Sequence, residues 1–251
     1  ARLVHPNIVT AFDADISGGA PYLVMEYVIG KDLQAILAET GPLSFDDALD
    51  YVLQTARGLE YAHRVGVVHR DIKPANLLLD EHGTIRILDM GVAQLNQLAE
   101  DESTNPVSHQ ITRDGAVIGT TDFMAPEQAS NPRDADARSD IYSLGCTLYF
   151  MLTNQPLFDA DSAVDRIIAH RQKPPPALRD VRPDLPRDLD RIFARMVAKA
   201  PADRYADVTE LIHDLEILQQ GQHLDVKPDL PPATNDAPKS TPPKDVGQEA
   251  D

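Results

Sequence analysis

Val67-Val68-His69-Arg70-Asp71-Ile72-Lys73-Pro74-Ala75-Asn76-Leu77-Leu78-Leu79 runs into Asp80-Glu81-His82-Gly83 and then Thr84-Ile85-Arg86-Ile87-Leu88-Asp89-Met90-Gly91. Two short apolar runs around a Gly-containing loop read as a β-hairpin. In an antiparallel hairpin the start of the first strand lies beside the end of the second, so Asn76 and Asp89 meet at the open end. An amide oxygen and a carboxylate there are hard oxygen ligands, suited to Mg2+ rather than zinc. Asp71 lies near the same end, where it could accept a proton from a hydroxyl. Lys73 offers a positive point charge for a transferring phosphoryl group. A single Asp or Lys in a loop reads as solvated surface. The four together are the parts that phosphoryl transfer needs, which is chiefly positioning plus charge neutralisation.

Upstream, the spacing predicts a helix over Ser44 to Val65. Ser44 can cap it, with Asp47 completing an imperfect capping box. Leu49, Val52, Leu53, Ala56, Leu59 and Ala62 repeat at helical spacing and form a buried face, and Gly66 ends it. Residues 1–28 read as strands: Asn7-Ile8-Val9-Thr10-Ala11-Phe12, a Ser17-Gly18-Gly19 turn, then Tyr22 to Val28. Residues 32–221 read as mostly helical. From Gln222 onward Pro228, Pro231, Pro232, Pro238, Pro242 and Pro243 stand among scattered charges, a composition that predicts a disordered, acidic linker.

The 251 residues are enough for one sizeable core, with 42% apolar and 25% charged residues in the ordinary globular range. A formal charge of −17 repels phosphate backbones and anionic membranes, which argues against nucleic acid as a partner. Cys146 is the one cysteine, so an internal disulfide or a Cys-rich zinc site is excluded. No apolar run reaches the ~18 to 20 residues that span a bilayer, and no signal peptide is read, so a cytoplasmic location is expected. Opening on Ala1 rather than Met, the chain reads as a fragment.

His69-Arg70-Asp71-Ile72-Lys73-Pro74-Ala75-Asn76 resembles the catalytic loop of eukaryotic-type protein kinases. Asp89-Met90-Gly91 is similar to their metal-binding Asp-Phe-Gly, and Ala125-Pro126-Glu127 to the motif that closes the activation segment. Lys73, with Gly119-Thr120, resembles the Ser/Thr branch. The later helices, with Pro174-Pro175-Pro176 and Arg182-Pro183-Asp184, look most like bacterial members. The resemblance implies an α+β fold, a mainly helical large lobe (29–221) with a β-rich small-lobe remnant and hinge (1–28). It also implies ATP and Mg2+ as reactants, Ser/Thr hydroxyls of proteins as acceptors, and paired kinase copies for autophosphorylation.

Further residues follow from the same resemblance. Met25 would be the gatekeeper, the backbones of Glu26 and Val28 would bind adenine, Asp32 would meet the ribose, and Leu78 would floor the adenine or pack the strand. Asp140 would be the buried acceptor for the catalytic loop, and Glu127 would pair with Arg204. His69 reads as a buried packing residue, and Met90 as an apolar plug between lobes. The stretch from Asp89 to Glu127 is far longer than the ~12 to 15 residues at which structureless loops become uncommon. It would be a phosphorylation switch, with Thr112 the acceptor facing Arg70 and Thr120 at the substrate-facing end. Kinases also use a Gly-rich loop, a strand Lys and a helix Glu, and the sequence holds no counterpart of these. The expectation is a remnant with exposed sheet edges and an unfilled apolar face, and weak handling of Mg-ATP by the chain alone. The competing reading is a pseudokinase or scaffold-type interaction module, against which the intact Asp71, Lys73, Asn76 and Asp89 weigh.

Overall fold

The computed structural model describes residues 3–17, 20–90, 121–131 and 134–224. Its longest helix is the one the periodicity predicts. After α1 (Leu33–Thr40), α2 spans Phe45–Arg64, with the Ser44 hydroxyl accepting the Asp47 N–H at 3.1 Å. The Asp47 carboxylate accepts a hydrogen bond from the Ser44 hydroxyl at 2.7 Å instead of reaching the backbone, so the capping box is imperfect. All six apolar positions read from the sequence are buried. Gly66 follows at φ 80°, a conformation that costs glycine little.

Around α2 stand α3 (Pro126–Ser130), α4 (Ala137–Thr153), α5 (Ala163–Gln172), α6 (Leu178–Val181), α7 (Arg187–Met196) and α8 (Val208–Gln219). α4 is buried on nearly every side and packs against α2 and α7, so it forms the axis of the helical body. No helix among the described residues is long and apolar enough to cross a membrane.

Strands β3 (Gly30–Asp32), β4 (Leu77–Asp80) and β5 (Ile85–Ile87) form an antiparallel sheet in the order β3-β4-β5. The hairpin register pairs Leu77 with Ile87. Just outside it, the Leu88 N–H donates to the Asn76 carbonyl at 2.9 Å, which brings Asn76 and Asp89 to one end as expected.

The N-terminal reading needs correction. A strand was expected over residues 7–12, but β1 spans Ala11–Ser17 and pairs with β2 (Ala20–Met25). Asn7 to Val9 instead run along β5: Ile87 N–H donates to the Asn7 carbonyl, and Val9 N–H donates to the Ile87 carbonyl, both at 2.9 Å. The Asn7 amide donates to the Ile85 carbonyl and to Gln54 of α2, and Ile8 is wholly buried. The docking needs room at Gly58, where a Cβ would lie 3.1 Å from the Asn7 carbonyl oxygen. Phe12, Tyr22, Val24 and Met25 of the β1–β2 hairpin are exposed. At the other end Leu224 still packs on the core and His223 reaches Asp188 at 3.0 Å. The expected linker otherwise lies outside the described residues.

Beneath α4, His170 is buried with its Nδ1 2.8 Å from the Tyr142 hydroxyl. Burial first, then the Lys199 charge, push its pKa down to about 4. The folded state thus favours the neutral ring, and the stability this contributes is complete above pH 6.5 and lost as pH falls from 6.5 toward 4. Urea unfolding at pH 7 and pH 5 should therefore show a loss to which His170 contributes roughly 2 kcal/mol. In His170→Gln that part of the gap should vanish; an unchanged gap would contradict it.

Candidate active site

The loop from Val67 to Asn76 is positioned by one carboxylate. Asp140, in the first turn of α4, is wholly buried. Its Oδ2 accepts the His69 N–H at 2.9 Å, its Oδ1 accepts the Arg70 N–H at 2.7 Å, and His63 Nε2 stands 2.7 Å from Oδ2. A buried charge without such partners would cost several kcal/mol. The His63 partner was not read from the sequence. Its only signal is position, in the last turn of α2 just before the loop.

His69 has both ring nitrogens engaged. Nε2 donates to the Leu88 carbonyl at 2.8 Å, and Nδ1 accepts the Asp71 N–H at 3.2 Å. These bonds leave no nitrogen for proton abstraction and tie the loop to the hairpin beside Asp89. Arg70 adopts φ 67°, a left-handed conformation that costs a non-glycine residue on the order of 1–3 kcal/mol. Its N–H is held by Asp140 and its carbonyl accepts the Gln128 Nε2–H at 2.8 Å. Gln128 also accepts the Ala125 N–H at 2.9 Å, so it joins the end of the activation segment to the loop. It follows Ala125-Pro126-Glu127 directly, and nothing in its spacing marked it.

Asp71, Lys73 and Asn76 form one cluster. Lys73 Nζ donates to Asp71 Oδ2 at 2.7 Å, and Asn76 Nδ2 donates to the same oxygen at 3.1 Å and to the Asp71 carbonyl at 2.8 Å. With its NH2 group so used, Asn76 keeps its amide oxygen for a cation. Asp71 Oδ1 takes no hydrogen bond among the described residues, and the side chain is 38% exposed. Asp89, at φ 63°, is exposed, while Met90 beside it is buried, consistent with a plug. The amide oxygen and the carboxylate suit a hard cation such as Mg2+, which keeps most of its shell for water and phosphate.

Of the residues expected to meet the nucleotide, Glu26 donates its N–H to the Thr10 carbonyl at 2.9 Å, and Met25 at the end of β2 is exposed. Asp32 caps α1 by accepting the Ala35 N–H at 2.8 Å, a role not read from the sequence. Leu78 is half-buried and pairs across the sheet with Asp32 and Arg86. Thr112 and Thr120 lie outside the described residues.

Glu127 and Arg204 meet in a two-pronged pair at 2.7 and 2.8 Å. Arg204 also donates to the carbonyls of Ala198, Arg138 and Lys199, and its guanidinium lies over the Tyr142 ring at 4.8 Å. Burial pushes the Glu127 carboxyl up, but the bonds from Arg204 and Ser139 outweigh it and hold its pKa below the usual carboxylate value.

A family model for the protein kinase domain matches residues 1–215. The chain belongs to the protein kinase family. It is 38% identical over 246 residues to the serine/threonine-protein kinase PknB of Mycobacterium leprae, covering 96% of this chain and 37% of that protein. A probable serine/threonine-protein kinase of Corynebacterium efficiens is 37% identical over 227 residues, covering 87% and 33%. The chain thus spans about a third of the length of these relatives. The crystal structure of the Mycobacterium tuberculosis PknI kinase domain matches with a TM-score of 0.63 at 29% identity, over 87% of this chain and 74% of that one. A structure of Rad53 shares the fold, with a TM-score of 0.66 at 24% identity over 84% and 51% of the two chains. The α+β kinase fold and the bacterial Ser/Thr branch expected from the motifs are therefore borne out.

Arg204→Ala would leave Glu127 unpaired in a largely buried place, and should cost about 3–5 kcal/mol. Arg171→Ala, at an exposed position of α5, should cost under ~0.5 kcal/mol. Thermal or urea unfolding of the two variants checks this, and equal small losses would contradict it.

Proposed function

We propose that this chain carries the catalytic core of a protein serine/threonine kinase, which transfers the γ-phosphoryl group of ATP to Ser or Thr hydroxyls of proteins. The observation that carries the reading is the convergence of Asp71, Lys73, Asn76 and Asp89 at the mouth of one hairpin. Asp71 orients the acceptor hydroxyl and takes its proton as the new O–P bond forms and the bond to the ADP oxygen breaks. Lys73, held against Asp71, supplies positive charge to the γ-phosphoryl as it moves. Asn76 and Asp89 would hold Mg2+, which neutralises the phosphates when bound. Met25, Glu26, Val28 and Leu78 would surround the adenine, with Asp32 toward the ribose through the carboxylate oxygen its cap leaves over. Thr112 would accept a phosphate from a second copy and present it to Arg70.

In protein expressed from the whole reading frame, Asp71→Asn should lower kcat by at least about 10²-fold, as loss of a positioned base does. Its melting temperature should barely move. Undiminished transfer to a Ser/Thr substrate would remove Asp71 from this role, and absence of transfer in the unsubstituted protein would favour an interaction module. After incubation of the same protein with Mg-ATP, mass spectrometry should place a phosphate on Thr112, and Thr112→Ala should lower activity. An unmodified Thr112 together with full activity of that variant would discard the switch.

A further inference from the structure

β5 carries one charged side chain between two core residues. Ile85 and Ile87 are wholly buried, and Arg86 lies on the opposite face. Cross-strand pairing sets Asp32, Leu78 and Arg86 in a single row of the β3-β4-β5 sheet, and directly paired residues project to the same side. Arg86 is only 17% exposed, and its Nη2 donates to Glu26 Oε1 at 2.6 Å. Glu26 is the residue whose backbone is read above as an adenine contact.

Glu26 is fixed at three points. Its N–H donates to the Thr10 carbonyl, its Oε2 accepts the Thr10 N–H at 3.3 Å, and its Oε1 takes Arg86. Its carbonyl accepts no hydrogen bond among the described residues. A second tie, Glu81 N–H to the Ile29 carbonyl at 3.3 Å, joins the same connecting segment to the hairpin loop. Tyr27, between them, is 90% exposed, so its side chain contributes little to holding the segment. The Arg86–Glu26 bond thus joins that segment to β5.

We infer that Arg86 is a positioning residue for the nucleotide base: through Glu26 it sets the height and tilt of the Glu26–Val28 backbone above Leu78. The inference rests on the adenine reading of that segment. A charge-assisted bond of this kind contributes about 1.5–3 kcal/mol, which is about tenfold or more in affinity if it is spent on orientation. Only Nη2 engages the carboxylate, and Nε of Arg86 is buried without an acceptor among the described residues. A single ammonium could therefore reproduce the contact, which gives the proposal a conservative rescue.

The test titrates protein expressed from the whole reading frame with adenosine by calorimetry and with Mn2+ by water-proton relaxation, the latter reporting on Asn76 and Asp89. Arg86→Ala should weaken adenosine binding about tenfold or more and leave Mn2+ binding within about twofold. Arg86→Lys should recover most of the adenosine affinity, and Glu26→Gln should fall between. Unchanged adenosine affinity in Arg86→Ala, or equal loss of both ligands, would overturn the positioning role and leave the kinase reading standing. An unsubstituted whole protein that binds Mn2+ but no adenosine would overturn the adenine reading of residues 26–28, and this inference with it.

Discussion

A carboxylate with no exposed surface, Asp140, sits at the start of the central helix, and the catalytic loop is arranged around the need to satisfy it. Its partners are two consecutive backbone N–H groups and one imidazole, drawn from the end of α2 and the loop that follows. Without them the charge would stand uncompensated in the interior, at a cost far above that of bending the loop. The bend is visible in Arg70, whose left-handed backbone is the local consequence of turning both N–H groups toward one side chain. Asp71, next in sequence, is thereby aimed outward with its neighbours Lys73 and Asn76 closed onto it.

The same turn of α4 serves a second segment. Ser139 donates to Glu127 at 2.6 Å, and the Arg138 carbonyl accepts from Arg204. Three consecutive residues thus address the late helical region, the end of the activation segment and the catalytic loop in turn. Gln128 closes the circuit by bonding the Arg70 carbonyl. Each contact is a polar pair made away from water, where a missing partner costs more than a bond gains. Displacing any one segment therefore strands groups on the others, and the parts move or hold together.

The N-terminal segment obeys the same logic with apolar contacts added. Asn7 spends its side chain on the free edge of β5 and on Gln54, which caps an edge that would otherwise present unpaired groups. Ile8 fills the core behind it. In the β1–β2 hairpin beyond, Phe12, Tyr22 and Val24 are exposed.

Sequence by itself determined the elements whose causes are local. α2 was legible because capping, helical periodicity and the Gly66 stop all act within a few residues. The β4–β5 hairpin was legible because alternating burial and a Gly-containing loop specify its register, and that register is enough to bring Asn76 to Asp89. The Asp140 anchor and the Glu127–Arg204 pair were legible only through resemblance, since nothing in their spacing announces partners some 70 residues away. What only the tertiary structure decided are the contacts between segments distant in sequence and individually ordinary. His63 under Asp140, Gln128 on Arg70, Asn7 along β5 in place of a strand, and Arg86 against Glu26 all belong here. A histidine, a glutamine or an arginine on a half-polar surface carries no periodic or compositional mark of its partner. Its role is set by which backbone groups packing has left unsatisfied, and that is fixed only when the helices and the sheet come together.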